Sequence, residues 1–301
     1  MTTIHTAQET KLNPNDYSHE LTQFANTLLK EMEKPLNFIA PTVFVKRFFE
    51  HRKDTDLFSS PINDIRSTGS NFKYIDSVGE KVQSKTLNKG LTTRVDSDDL
   101  VKDCEERHVF AMVKLLLENE YRRAIQAYID TIKKAQKNTK KQLTEIGPWE
   151  KDKSPDADLR NLLLTAWKDY GFSPNRIVMH QNVSYTRYVS CAQQNNAGAN
   201  TINLPLGELA KLLSIEDIQL IQPYVRGLEG DEIFVFLAQN GLPKDDASSA
   251  ITRFVTPFDD GNLFQVYVET HPKFIDITIE YYSDISVTAS GYILQGKLKS
   301  A

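Results

Sequence analysis

Residues 98–141, DDLVKDCEERHVFAMVKLLLENEYRRAIQAYIDTIKKAQKNTKK, decide the fold. Val109, Val113, Leu116, Leu117, Tyr121, Ala124, Ile125, Tyr128, Ile129 and Ile132 recur at three- and four-residue steps, which gathers them on one face of a helix. Acids crowd the start of the stretch (Asp96, Asp98, Asp99, Asp103, Glu105, Glu106) and lysines its finish (Lys133, Lys134, Lys137, Lys140, Lys141). Both placements complement the helix dipole. At about 1.5 Å of rise per residue the predicted helix is on the order of 60 Å long, whereas a mean helix has about 12 residues. A rod of that length spans a whole domain and organises the elements around it.

Upstream, residues 50–95 are polar and punctuated by Gly69, Gly79 and Gly90, with only short segments such as Phe72-Lys73-Tyr74-Ile75 and Lys81-Val82-Gln83 between them. A long segment without an apolar face cannot fill a core, and such segments are disordered or functional. An extended hairpin that finds its partner surface on another chain satisfies the pattern. Before it, Phe38-Ile39-Ala40-Pro41-Thr42-Val43-Phe44-Val45-Lys46-Arg47 is a β-branched and aromatic run with a proline near its start, which predicts an edge strand. Residues 17–34 space Leu21, Phe24, Ala25, Leu28, Leu29 and Met32 as an amphipathic helix, which Pro35 is expected to end. That helix either packs on its own domain or, with the loose polar residues 1–15, forms an arm lying on a neighbouring subunit.

Downstream, Gly147-Pro148 closes the long helix region. Ser154-Pro155-Asp156 opens a second helix carrying Leu159, Leu162, Leu163, Ala166 and Trp167, which stops at Gly171. A buried strand over 176–180, a helix over 183–193, a loop over 195–200, a helix over 206–213 and strands over 217–221 and 232–238 make a compact α/β subdomain. The chain closes with period-two alternation over 263–268, 274–280 and 285–289. Turn signals at His271-Pro272 and Ser283-Asp284 predict an antiparallel meander.

With 301 residues, the chain is long enough for one elaborate domain or two interleaved ones. Its 36 basic and 40 acidic residues give a net charge of -4, so no global field draws it onto nucleic acid and any such contact must be local. Apolar runs fall short of the roughly 20 residues of a membrane span, and the polar N-terminus lacks the apolar core of a secretory signal. Cys104 and Cys191 are read as free thiols of a reducing compartment. The 6 histidines (His5, His19, His51, His108, His180, His271) show no ligand spacing, so no metal site is expected. His180 and Cys191 are candidates for a nucleophilic pair, but a strand-end histidine and a small buried thiol are the expected roles. The 133–141 lysines fit a solvated helix end or a phosphate contact, while Asp98-Asp99 and Asp245-Asp246 read as caps and turns. Phosphate-binding, dinucleotide, GxSxG and HExxH motifs do not occur in the sequence. Accordingly no catalytic, cofactor-binding or metal residues are assigned, and no cofactor is expected.

The order of these segments resembles the major capsid proteins of tailed phages with the Hong Kong 97 fold. Phe38-Ile39-Ala40-Pro41-Thr42-Val43-Phe44-Val45 looks like that family's first strand after its arm, and 50–95 looks like its extended E-loop. Residues 94–99, leading into the Val109 to Ile132 periodicity with Glu120 followed by Arg122-Arg123-Ala124, are similar to the step into its spine helix. Residues 158–167 and 171–179, and then 206–213 with 215–218, resemble its axial domain. The resemblance implies an α+β fold with an N-terminal arm (1–37), first strand and E-loop hairpin (38–97), peripheral domain with the spine helix (98–153), axial α/β domain (154–254) and return strands of the peripheral antiparallel sheet (255–301).

It further implies hexamers and pentamers of this chain tiling an icosahedral head around double-stranded DNA held by weak non-specific contact. Scaffolding, portal and decoration proteins would be separate partners, no membrane would be involved, and the shell would assemble in the host cytoplasm to become the virion capsid. The region before Phe38 is too short for a large fused scaffolding segment. Lys73, Lys81, Lys85 and Lys89 lie in the loop, but no asparagine partner for crosslinking is matched. Two alternatives share parts of this reading: an encapsulin-like nanocompartment shell, and an α/β enzyme with a long interface helix.

Overall fold

The computed structural model describes residues 12–53, 80–96, 98, 104–137, 142–149, 154–196 and 204–299. The predicted arm residues 1–11 and hairpin residues 54–79 lie outside the described residues, as do 99–103, 138–141 and 197–203; of the loop expected over 195–200, Asn195 and Asn196 are helical.

The organising helix runs Cys104–Lys137 over 34 residues, roughly 50 Å, and is numbered α3 below. Asp98 precedes it in a turn, where its backbone N–H donates to Asp96 Oδ1 at 3.1 Å. The apolar face read from the sequence is the buried one: Val109, Val113, Ala124, Ile125 and Tyr128 have no exposed surface. Two shorter helices precede α3 in the chain. In α1 (His19–Met32), capped by the Ser18 hydroxyl, Leu21, Ala25 and Leu29 are buried in the same core as the α3 face. From Ser18 onward the expected arm segment is therefore built into the core of its own chain. Pro35 does not stop this helix but sits in the first turn of α2 (Lys34–Ile39), where its missing N–H costs nothing. Phe38 and Ile39, expected in a strand, are consequently helical and buried.

Only Thr42–Phe44 is extended (β1), and it is an edge strand as predicted, pairing in parallel with Ile251–Thr256 (β9). The first sheet has β9 and Gln265–Thr270 (β10) on Phe274–Val287 (β11), which also pairs with Leu87–Asp96 (β4). The turn expected at Ser283-Asp284 is absent: β11 is one strand of 14 residues, pairing first with β10 and β4 and then with β9. Ile275, Ile277, Ile279 and Tyr281 point into the core, while the opposite face is tied by cross-strand polar pairs. Arg94 makes a bidentate pair with Asp276 at 2.8 and 2.7 Å, and the Thr92 and Thr278 hydroxyls lie 2.9 Å apart. At Gly90 a Cβ would stand 2.5 Å from the Ile279 carbonyl, so β4 approaches β11 closely only with glycine there.

The second sheet is ordered Leu143–Ile146 (β5), Ile293–Leu298 (β12), Glu232–Phe236 (β8), Arg176–Met179 (β6) and Asp217–Leu220 (β7). Both faces of its centre are covered, so β6 and β8 are buried along their whole length, as near-continuous apolar strands require. Val178, Phe234 and Phe236 face α3, with the Tyr128 ring centroid 5.0 Å from that of Phe236. Ile177, Met179, Ile233 and Val235 face the other way, into a second core that includes residues of Pro155–Tyr170 (α4), Gln181–Asn196 (α5) and Leu206–Leu212 (α6). Ser154 caps α4 and Gly171, at φ 72°, terminates it in the left-handed region, both as the sequence predicts. Trp167, assigned to its apolar face, is instead 61% exposed. The closing strand β12 joins this second sheet rather than extending the β10–β11 meander.

Candidate assembly interface

Phe48–Lys53 (β2) and Glu80–Lys85 (β3) form an antiparallel two-stranded ribbon that pairs with no other strand among the described residues. It stands on a small separate core of Val43, Val45, Phe49 and Phe254. His51 packs its ring 4.9 Å from Phe254 and 5.6 Å from Phe49, fully buried, with neither ring nitrogen hydrogen-bonded. Burial holds its pKa below the ordinary histidine value, aided by Lys53 and opposed by Asp284. Thr86 turns the ribbon into β4, its N–H donating to the Arg47 carbonyl at 3.0 Å and its hydroxyl lying 2.7 Å from that of Thr256.

Around this root Phe44, Phe48 and Leu87 are 64%, 72% and 47% exposed. A two-stranded ribbon is marginally stable alone, and clustered exposed apolar side chains mark an interaction surface. A second exposed set lies on the far side of the second sheet. Leu164 and Trp167 on α4 are three residues apart, as are Tyr185 and Tyr188 on α5, and each pair shares a helix face. The two helices are bound together by the nearly buried Arg187, which donates to Asp156 Oδ1 at 2.6 Å.

The root is anchored to α3 through one carboxylate. Glu120 is fully buried at mid-helix; its Oε1 accepts from Lys89 Nζ of β4 at 2.7 Å and from Arg123 Nη1 at 2.8 Å, and its Oε2 accepts from the Ser283 hydroxyl at 2.8 Å. Arg253 of β9, also buried, brings its Nε to 3.7 Å from Oε2 and its Nη1 to 3.2 Å from Glu33 Oε2. Burial disfavours the charged carboxylate, but Lys89 and Arg253, with the Lys89 and Ser283 hydrogen bonds, outweigh it and hold Glu120 below the usual carboxylate range. One side chain thus ties α3 to β4, β9 and β11. Arg176, 2% exposed, does similar work at the second sheet: it donates to the Asn37 and Phe38 carbonyls at the end of α2 and pairs with Glu216 at 2.8 Å.

Cys191 and His180 each have other surroundings. Cys191 is buried on α5 and burial raises its thiol pKa, while His180 uses Nδ1 to accept from the Asn182 N–H at 3.2 Å. A cysteine and a histidine do meet elsewhere: Cys104 Sγ lies 3.6 Å from His108 Nδ1. That nitrogen must donate to the Cys104 carbonyl 2.8 Å away, which leaves it no lone pair for the thiol proton. Among the described residues no group of three or more His, Cys, Asp and Glu could hold a metal, and no helix is long and apolar enough to cross a membrane. Asp245 and Asp246 stand in a turn, where Asp246 accepts from the Ser248 N–H. Lys133, Lys134 and Lys137 are exposed along the last turns of α3.

No protein-family model and no curated protein sequence matches the chain. Solved structures match over nearly its full length. A phage-related protein from Bordetella bronchiseptica superposes with a TM-score of 0.65 at 13% identity, covering 93% of this chain and 96% of that one. The capsid structure of cyanophage P-SCSP1u matches with a TM-score of 0.52 at 8% identity, covering 88% of each chain. This chain has the fold of phage capsid proteins. The same capsid fold extends to an encapsulin complex from Synechococcus elongatus, at a TM-score of 0.50 and 13% identity, over 99% of this chain and 91% of that one. Sequence reading marks Glu120 only as part of the step into the spine helix and does not foresee the cluster around it, although an acid on the apolar side of α3, beside Tyr121 and one turn before Ala124, is the signal of a buried carboxylate.

Proposed function

We propose that this chain is a major capsid protein of a tailed phage. Copies assemble as hexamers and pentamers into an icosahedral head that encloses double-stranded DNA, built in the host cytoplasm and carried in the virion. Its role is structural, with no catalysis. Scaffolding, portal and decoration proteins are separate chains. The peripheral domain comprises α1, α3 and the first sheet, and the axial domain comprises α4 to α6 and the second sheet, with the β2–β3 ribbon as the E-loop.

The observation that carries the reading is the ribbon: two strands with no third among the described residues, rooted among exposed Phe44, Phe48 and Leu87, on a chain that follows a phage-related protein over 93% of its length. Burying such a surface between copies matches obligate assemblies, which bury about 2,000 Å² or more per interface.

A second reading, an encapsulin-like compartment loaded with protein cargo, is favoured by the likeness to the Synechococcus complex. The two are separated by particle contents. Particles from the native host, treated with nuclease before disruption, should release protected double-stranded DNA. Particles that release a co-purifying enzyme and no nucleic acid would replace the phage-head reading with the compartment one.

A further inference from the structure

After Glu120 the solvent side of α3 is almost purely cationic. Arg122, Arg123, Lys133, Lys134 and Lys137 alternate there with neutral residues, and Asp130 is the single acid, its carboxylate accepting from Gln126 at 2.8 Å. At 100° per residue, Arg122, Gln126, Ile129, Lys133 and Lys137 fall in one narrow stripe, with Arg123 and Lys134 beside it. The stripe runs about 22 Å along the helix. Beside its first half, Arg226 stands on the loop after Tyr224, and a groove of about 600 Å³ opens between that loop and the helix. Arg122 holds the loop in place: its Nε donates to the Tyr224 carbonyl at 3.0 Å and its guanidinium lies 5.6 Å from the Tyr224 ring.

The helix dipole accounts for cations in the last turn, Lys134 and Lys137, but not for Arg122, Arg123 and Arg226, which lie far from that end. Internal pairing does not account for the rest. Among the described residues Lys133, Lys134, Lys137 and Arg226 make no ion pair, whereas Arg122 is held by Glu118 at 3.9 Å, Asn119 Oδ1 at 3.0 Å and the Tyr224 carbonyl, and Arg123 by Glu120 at 2.8 Å. The neighbouring acids of the 229–231 loop are paired with Lys297, and Lys133 acts on Glu229 only at longer range.

Cations strung in a line, rather than converging on one point, match a ligand whose charge repeats along its length. Duplex DNA carries one charge per about 1.7 Å, and arginine takes phosphate bidentately. We propose that the exposed edge of α3 from Arg122 to Lys137, with Arg226 beside it, binds the phosphate backbone of duplex DNA and therefore faces the interior of the shell. This rests on the phage-head reading and adds to it the residues that meet the DNA.

The test is the salt dependence of binding between the full chain and a labelled random-sequence duplex, followed by fluorescence anisotropy. With about five phosphates neutralised, a fourfold rise in salt should weaken wild-type binding roughly 500-fold. The triple variant Lys133→Gln, Lys134→Gln, Lys137→Gln, with about two contacts left, should lose only about 12-fold over the same range. A control pair on the ribbon, Lys81→Gln with Lys85→Gln, should behave as wild type. A triple variant with the wild-type salt slope overturns the proposal, as does wild-type binding that ignores salt. A polyglutamate chain that competes as well as DNA at equal charge also overturns it, in favour of an acidic protein partner. Particle formation is read separately by microscopy. Particles without DNA binding would sink this inference and leave the shell reading standing, and DNA binding through these lysines without particles would do the reverse.

Discussion

Replacing Glu120 by Gln keeps the shape of the side chain and removes the one anion that α3 offers to β4 and β9. Lys89, 12% exposed, would then stay buried without its counter-charge, and Arg253, 1% exposed, would keep only Glu33. Removing one partner of a buried ion pair costs about 3–5 kcal/mol, because the remaining charge is stranded. Against a typical total of about 5–15 kcal/mol this is roughly a fifth or more of the stability. Urea unfolding of the unassembled subunit should show a midpoint lowered by about 1 M or more for a slope near 3 kcal/mol/M. Lys89→Met alone should also destabilise, and the double variant Glu120→Gln, Lys89→Met should recover part of the sum, with a coupling of about 2 kcal/mol. The pH dependence has a fixed sign. The folded pKa of Glu120 lies below its unfolded value of about 4.3, so its contribution is complete above that pH and is lost as pH falls through the folded pKa. The Gln variant should lack that acid-side loss. A Glu120→Gln subunit within about 0.5 kcal/mol of wild type, with an unchanged acid limb, would refute the reasoning.

His51→Phe should stabilise the ribbon root by about 1–2 kcal/mol, since it removes two buried nitrogens that lack partners and keeps the contacts with Phe49 and Phe254. Because burial lowers the folded pKa of His51, wild-type stability should decline as pH falls from about 6.5, and thermal melts of the variant should lose that decline. Phe48→Asp with Leu87→Asp should leave the unfolding free energy of the free subunit in urea within about 0.5 kcal/mol of wild type, both sites being exposed. The same pair should abolish particles in sedimentation, and undiminished particles would remove the ribbon root from the interface.

The long helix was legible because its burial is carried by apolar residues at strict helical steps, and α4 because Ser154 and Gly171 mark its ends in side-chain and backbone chemistry. Part of what escaped has one cause: polar residues whose partners lie far away in sequence. Ser283 looks like half of a turn until Glu120, far away in sequence, gives its hydroxyl a partner, and β11 is then continuous. Arg253 interrupts the apolar pattern of β9 in sequence, yet it is buried between Glu33 and Glu120. The polar Gln295-Gly296-Lys297 breaks the alternation of β12, whose neighbours β5 and β8 make it a strand. The exposure of Phe44, Phe48 and Trp167 was illegible for the opposite reason, since apolar residues that await another copy follow the same periodicity as those that fill a core.

Electron microscopy of the purified full-length chain, over a range of protein concentration and salt and with the products of its neighbouring genes, tests the shell reading most directly. The account predicts closed, uniform particles built from this chain, with the β2–β3 ribbon lying against an adjacent copy. Monomers that persist in every condition would contradict it.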